Sequence, residues 1–124
     1  VFIGEVTTIE GRVSANGVID STFGQLRTAD TGAAGPGDTV WLALRPEKIG
    51  MSGERPAGAL NAVSGTVSEI GYRGDVSIYK VRLADRSLMK VALANVSAPG
   101  KNSYGAGDLV WLSWRPDAGV VLTR

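Results

Sequence analysis

Two segments of this 124-residue chain are copies of one phrase. Gly37-Asp38-Thr39-Val40-Trp41-Leu42-Ala43-Leu44-Arg45-Pro46-Glu47 returns 70 residues later as Gly107-Asp108-Leu109-Val110-Trp111-Leu112-Ser113-Trp114-Arg115-Pro116-Asp117. Gly-Asp, Val-Trp-Leu, Arg-Pro and a closing carboxylate are common to both. A chain with such a repeat is built as two related halves, each closing on the same strand and turn. The halves are read as residues about 1–50 and about 59–124, joined by a linker over about 51–58 in which Gly53, Pro56 and Gly58 cluster.

In a strand, residues i and i+2 share a face. Val40, Leu42 and Leu44 therefore lie together, matched by Val110, Leu112 and Trp114, and this apolar set is the expected interior. Trp41, Ala43 and Arg45 form the opposite face, matched by Trp111, Ser113 and Arg115. Tryptophan beside small residues and arginine suits a half-exposed face covered by something else.

The rest of the sequence reads as short strands. Glycine supplies 17 of 124 residues, roughly double the usual share, which means many tight turns. No window carries a 3.6-residue apolar period, so no long helix is expected. Gly11–Ala15 leads into Asn16-Gly17, a dipeptide suited to positive φ at both centres of a type I′ hairpin turn. Val18–Asp20, Phe23–Arg27, Thr39–Arg45, Leu60–Gly71, Asp75–Leu83, Leu88–Leu93, Leu109–Arg115 and Val120–Leu122 follow. Within Asp75–Leu83 the apolar parity switches after Ile78, which predicts a bulge or a change of partner sheet. The loop over 94–107 has room for one helical turn. About ten short strands at regular spacing make an all-β small barrel or sandwich with little helix.

Composition narrows the chemistry. Cysteine and histidine are both absent, which removes disulfides, zinc sites of the usual kind, cysteine nucleophiles and histidine triads. A net charge of +1 gives no strong footprint for nucleic acid, and 6% aromatics offer few stacking platforms, so no nucleic-acid partner is expected. No apolar run approaches the roughly 18 residues of a membrane-spanning helix. The chain begins Val1-Phe2-Ile3, without an initiator methionine or signal pattern, and reads as a piece of a longer protein.

Several motifs have a local reading. Arg45-Pro46-Glu47 and Arg115-Pro116-Asp117 end a ladder at proline, and their carboxylates are placed to pair with an arginine or cap a turn. The alternative is an interdomain contact. Trp41 and Trp111 either anchor a partner or seal the two halves together. Arg73-Gly74-Asp75 reads as a turn into the next strand. Gly100-Lys101-Asn102 lacks the spacing and hydroxyl of a phosphate loop.

The chain resembles a family of transporter domains. Phe2-Ile3-Gly4, Gly11-x-Val13 and Val40-x-Leu42-x-Leu44-Arg45-Pro46-Glu47 are similar to the segment that follows the nucleotide-binding domain in ABC importer ATPases. That extension is the transport-associated OB, or TOBE, domain. Gly65-Thr66-Val67, Tyr72-Arg73-Gly74-Asp75, Tyr79-x-Val81-x-Leu83 and Val110-Trp111-Leu112-Ser113-Trp114 resemble the spermidine/putrescine branch. The resemblance implies an OB-fold, MOP-like barrel of the molybdate-binding kind. It implies a regulatory and dimerisation domain at the cytoplasmic face of the membrane. Its implied partners are its own ATPase domain, a second copy of the subunit and, through the ATPase domain, membrane permease subunits. ATP and magnesium would belong to the ATPase domain, leaving this segment with no cofactor, metal or catalytic residue. The candidate contact surface is Trp41, Arg45, Glu47, Trp111 and Arg115. A second reading is a sensor barrel for a small oxyanion or polyamine. Polyamine capture needs carboxylates with aromatic walls, for which Tyr72, Asp75, Tyr79 and Asp85 are the candidates. A free-standing enzyme is a third reading, against which the missing histidine and cysteine argue.

Overall fold

A computed structural model describes residues 6–29, 31–58, 61–94 and 104–123. Among these there are ten strands and one 3-10 turn, Pro46–Lys48. The strands are β1 Thr7–Ala15, β2 Val18–Ser21, β3 Gly24–Arg27, β4 Thr39–Leu44, β5 Gly50–Ser52, β6 Asn61–Arg73, β7 Val76–Leu83, β8 Leu88–Ala94, β9 Leu109–Trp114 and β10 Val120–Leu122. The helical turn expected within 94–107 falls largely on 95–103, outside the described residues.

The strands form two five-stranded antiparallel sheets, ordered β10-β4-β1-β2-β3 and β5-β9-β6-β7-β8. Each half contributes its closing edge strand to the other. β5 follows the first Arg-Pro turn and pairs with β9, setting Ser52 opposite Trp111. β10 follows the second Arg-Pro turn and pairs with β4, setting Leu122 opposite Trp41. The segment expected to be a linker from residue 51 is therefore strand at its start, because the backbone groups along the outer side of β9 take it as their ladder partner.

Alternation along β4 and β9 runs as the repeat predicts. Val40, Leu42, Leu44, Val110 and Leu112 are almost wholly buried, and Trp114 is 6% exposed. They join Ile9, Val13, Ile19, Leu26, Val63, Val67, Val81 and Met89 in one core cluster spanning both sheets.

The repeated Gly-Asp is a turn that closes on its own side chain. The Asp38 carboxylate accepts the Gly35 N–H at 2.9 Å and Asp108 accepts that of Gly105 at 2.8 Å. Gly37 and Gly107 sit at φ +89° and +94°, in the left-handed region that favours glycine. Their N–H groups then donate to Val13 and Val67, the matching residues of β1 and β6, at 2.7 and 2.8 Å. Gly11 and Gly65 form the other matched pair. A Cβ on Gly65 would stand 2.6 Å from Val81 Cγ1 and 2.7 Å from the Arg82 carbonyl oxygen; one on Gly11 would stand 2.6 Å from the Asp20 oxygen. The strands approach there more closely than any side chain allows.

Asn61 ties the sheets together. Fully buried at the start of β6, its amide accepts the Arg27 N–H at 2.6 Å and donates to the Arg27 carbonyl at 2.8 Å. It thus completes the β3 edge with side-chain atoms. Losing it would strand two backbone groups, at roughly 1–3 kcal/mol each.

Two local expectations change. Gly17 has φ +83°, but Asn16 is not among the positive-φ residues, so the first hairpin turn is not type I′. Asn16 is held instead by Thr31, whose N–H and hydroxyl both donate to its Oδ1, at 3.3 and 2.9 Å. The parity switch in β7 is not a bulge in that strand. Ser77, Tyr79, Val81 and Leu83 point inward throughout, while Val76 and Ile78 are half-exposed on the outer face. The register shift lies across the ladder in β6, between Val67 and Glu69.

Replacing Gly65 by alanine is expected to destabilise the fold by about 1–3 kcal/mol, since backbone must move to admit the methyl group. Gly53→Ala, with open space around its Cβ, is the matched control and should change stability little. Urea unfolding of both variants measures the difference.

Candidate functional site

Trp41 and Trp111 occupy equivalent places on the outer faces of the two sheets. Both are half-buried, flanked by the exchanged edge strands β10 and β5. The Arg55 guanidinium carbon stands 5.4 Å from the Trp111 ring centre, within cation–π range. Thr8, Trp41, Val121, Leu122 and Thr123 line a cleft of about 730 Å³ on the other sheet. Val120 and Leu122 are exposed beside it, at 60% and 43%. Arg45, Glu47 and Arg115 lie beyond the strand ends, all exposed. Arg115 reaches Asp117 with Nε–Oδ1 at 3.3 Å and a second bond from its terminal nitrogen. In the second copy the carboxylate of the Arg-Pro-acid phrase thus pairs with its own arginine. The Pro116 carbonyl accepts the Ala29 N–H at 3.0 Å, tying that turn to the other half.

The second candidate group is not brought together. Asp75 precedes β7 and Asp85 follows it, so the eight-residue strand holds them at opposite ends, about 30 Å apart at the usual rise per residue. Asp85 is engaged locally: it accepts the Ser87 N–H at 2.9 Å and its hydroxyl at 2.5 Å. These bonds, hydroxyl first, hold its carboxyl below the ordinary value of 3.8. Tyr79 is buried in the core and meets Tyr104 edge-on, ring centres 6.2 Å apart. Tyr72, on the hairpin beyond it, is 72% exposed. Burial raises the Tyr79 phenol above its ordinary 10.0, the charges of Tyr72 and Tyr104 push the same way, and the Tyr104 backbone opposes them.

Asp85 instead joins Trp41 and several residues that the sequence did not single out. A cleft of about 700 Å³ opens between the first sheet and the β7–β8 hairpin. Glu10, Asp20 and Asp85 provide carboxylates there, Trp41 and Phe23 aromatic surface, and Arg12 one cation. Glu10 and Asp20 belong to the outward-facing parity of β1 and β2, and Phe23 to the following turn. Glu10 stands opposite Trp41 in the β1–β4 register, the one signal that could have drawn it in. Among the described residues no helix is long and apolar enough to cross a membrane.

The comparisons agree on family and fold. The TOBE domain model matches residues 42–122. The putrescine transport ATP-binding protein PotG of Escherichia coli is 37% identical over 98% of this chain, and the aligned region is 34% of that protein. The spermidine/putrescine import ATP-binding protein PotA of Chromobacterium violaceum is 35% identical over 99% of the chain and 36% of its own length. The chain thus spans about a third of the length of these relatives. Among solved structures, the cytoplasmic molybdate-binding protein ModG, with molybdate bound, superposes with a TM-score of 0.85 over 100% of both chains at 13% identity. The architecture is accordingly the OB-like, MOP-type barrel of two related halves. Phe2, Ile3 and Gly4, which contributed to the sequence resemblance, lie outside the described residues.

Folding favours the protonated Tyr79 phenol. The stabilisation is whole below pH 10 and is lost as pH rises through the raised folded-state value. For Asp85 the sign is opposite: its contribution is present above pH 3.8 and lost as pH falls through the lowered folded-state value. Tyrosinate absorbance should show a tyrosine ionising above the ordinary 10.0 that is lost in Tyr79→Phe. Tyr79→Phe should flatten the alkaline limb of a stability–pH profile.

Proposed function

Since this chain belongs to the TOBE domain family, we propose that it is the C-terminal regulatory and dimerisation module of an ABC importer ATP-binding subunit, serving polyamine uptake. The observation that carries this is the near-complete alignment of the chain with about a third of two polyamine-transport ATP-binding proteins. The reading places it at the cytoplasmic face of a membrane, attached to an ATPase domain that binds ATP and magnesium and engages permease subunits. Hydrolysis would belong to that ATPase domain and not to this module.

The geometry supports a contact role for the outer faces. Trp41 and Trp111 cannot turn inward without a one-residue register slip, which would expose Val40, Leu42, Val110 and Leu112. Half-buried tryptophan beside exposed Arg45, Glu47 and Arg115 has the composition of an interface anchor with a polar rim. Pairing two copies through one of these faces would let the state of one ATPase domain bear on the other.

A second reading, a polyamine sensor, is favoured by the cleft of Glu10, Asp20 and Asp85 around Trp41 and Phe23. Carboxylates spaced along an aromatic wall suit a chain of ammonium groups. The fold shared with ModG carries no ligand across at this identity.

Sedimentation equilibrium of the 124-residue chain is expected to show a dimer, weakened about tenfold or more by Trp41→Ser or Trp111→Ser. A monomer at every concentration would remove the dimerisation role. Calorimetric titration with spermidine, putrescine, molybdate and sulfate separates the second reading. Heat with the amines, abolished by Glu10→Gln with Asp20→Asn, supports it; no heat with any of the four ends it.

A further inference from the structure

The two halves pair in the same register until β6 passes Glu69, with matching register shifts between Val13 and Ala15 and between Val67 and Glu69. Val13 stands opposite Ile19 in the first half, and Val67 stands opposite Val81 in the second. Five residues connect the first pair and thirteen connect the second, so 68–80 holds an eight-residue extension of the β6–β7 hairpin. β8 lengthens with it to seven residues, against four in β3. The extension begins beyond the Glu69–Lys80 pair, the counterpart of Ala15–Val18.

The outer face of this extension is ordered by its ladders. Successive rows across β6, β7 and β8 are Arg73–Val76–Ala94, Gly71–Ile78–Ala92 and Glu69–Lys80–Lys90, then Thr66–Arg82–Leu88. Among the described residues of these rows, Arg73, Lys80, Arg82 and Lys90 carry positive charge and Glu69, 3.2 Å from Lys80, carries negative charge. Asp75 is confined to the turn. The chain as a whole carries only +1, so this face concentrates positive charge. Lys80 and Lys90 sit directly opposite one another, an arrangement that costs stability in a sheet.

Glu69, Gly71, Arg73, Ile78, Lys80 and Lys90 line a cleft of about 320 Å³. Its floor is apolar: half-exposed Ile78 lies between Gly71 and Ala92, and nothing stands within 4 Å of a Cβ built on Gly71. Its rim is cationic. We propose that this face docks an acidic polypeptide segment that seats one apolar side chain on Ile78 while its carboxylates meet Arg73, Lys80 and Lys90. Charge complementarity selects the acidic partner. The recess selects a polypeptide over a flat anionic bilayer, because a planar headgroup layer would meet the rim and leave Ile78 uncovered. The cleft lies on the same outer face as Trp111, beyond the Thr66–Arg82 row from the Ser64–Trp111 pair.

The probe is a fluorescein-labelled peptide, Asp-Glu-Asp-Leu-Glu-Asp, added to the 124-residue chain in fluorescence anisotropy. Binding is expected to weaken about tenfold in the Arg73→Ser/Lys90→Gln double variant and on replacing the peptide leucine by serine. It is expected to fall between 50 and 300 mM salt, as screening requires. Arg27→Ser, a charge removed from the other sheet, should leave it unchanged. Ile78→Ser, on the outer face and outside the core, should reproduce the loss seen with the serine peptide. No binding, or binding indifferent to these changes at Arg73, Lys90 and Ile78, overturns the proposal. So does retention on phosphatidylglycerol vesicles, against phosphatidylcholine, without binding of the peptide.

Discussion

Neither sheet is complete without a strand from the other half. β4 has β1 on one side and would present open backbone groups on the other; β10, more than seventy residues later, fills that side. β9 takes β5 in the same way. Buried N–H and C=O groups without partners cost too much to leave open. Exchange of short edge strands therefore makes the two halves one folding unit, whatever their origin as repeats. Asn61 adds a second tie at the β3 edge, and the Ala29–Pro116 bond a third. Among the described residues, the buried apolar side chains consequently belong to one core.

This closure fixes what the outside looks like. With Val40, Leu42, Leu44 and their counterparts locked inward, period-2 geometry leaves no place for Trp41 and Trp111 except the outer faces. The exchanged strands then border each tryptophan, and Arg55 approaches one of them from the segment between the halves. The outward tryptophans are thus a consequence of the same repeat that builds the core. Any contact surface built on them inherits the rigidity of central strands.

Much of this was legible in the sequence. The seventy-residue offset gave the paired strands, and their parity gave both faces, because alternation depends only on local geometry. The exchange itself was not legible: alternation says which way a side chain points but not which strand lies beside it. Gly50-Met51-Ser52 is too short to announce a strand. The parity of β7 predicts a bulge or a change of partner sheet that the strand does not have, because Val76 and Ile78 are apolar yet lie on the outer face. Asn61 left only the signal of a polar residue where an apolar one would begin β6; its partner, Arg27, is 34 residues away. At the site, the separation of Asp75 from Asp85 follows from the strand between them. The cleft that gathers Asp85 with Glu10, Asp20 and Phe23 draws on several elements and has no sequence spacing to find.

The repeat also shows where the molecule stops being symmetric, and that bears on how partners are counted. Thr7–Arg12 and Asn61–Thr66 meet β4 and β9 in the same register, so a ligand recognising that part of one half would meet something similar on the other. The hairpin of β6 and β7 breaks the equivalence. Ile19 and Leu26 have Val81 and Met89 as counterparts across the ladders, but nothing in the first half corresponds to Arg73 or Ile78, and the counterpart of Lys80 is the uncharged Val18. A surface built there occurs once per chain. A partner that reads the paired outer tryptophans is offered two related faces, whereas one that reads the extended hairpin is offered a single orientation. A duplicated barrel with one elaborated hairpin can therefore combine symmetric self-association with one-to-one recognition of a second partner, because the far end of the β6–β7 hairpin extends past the rows that carry the tryptophans.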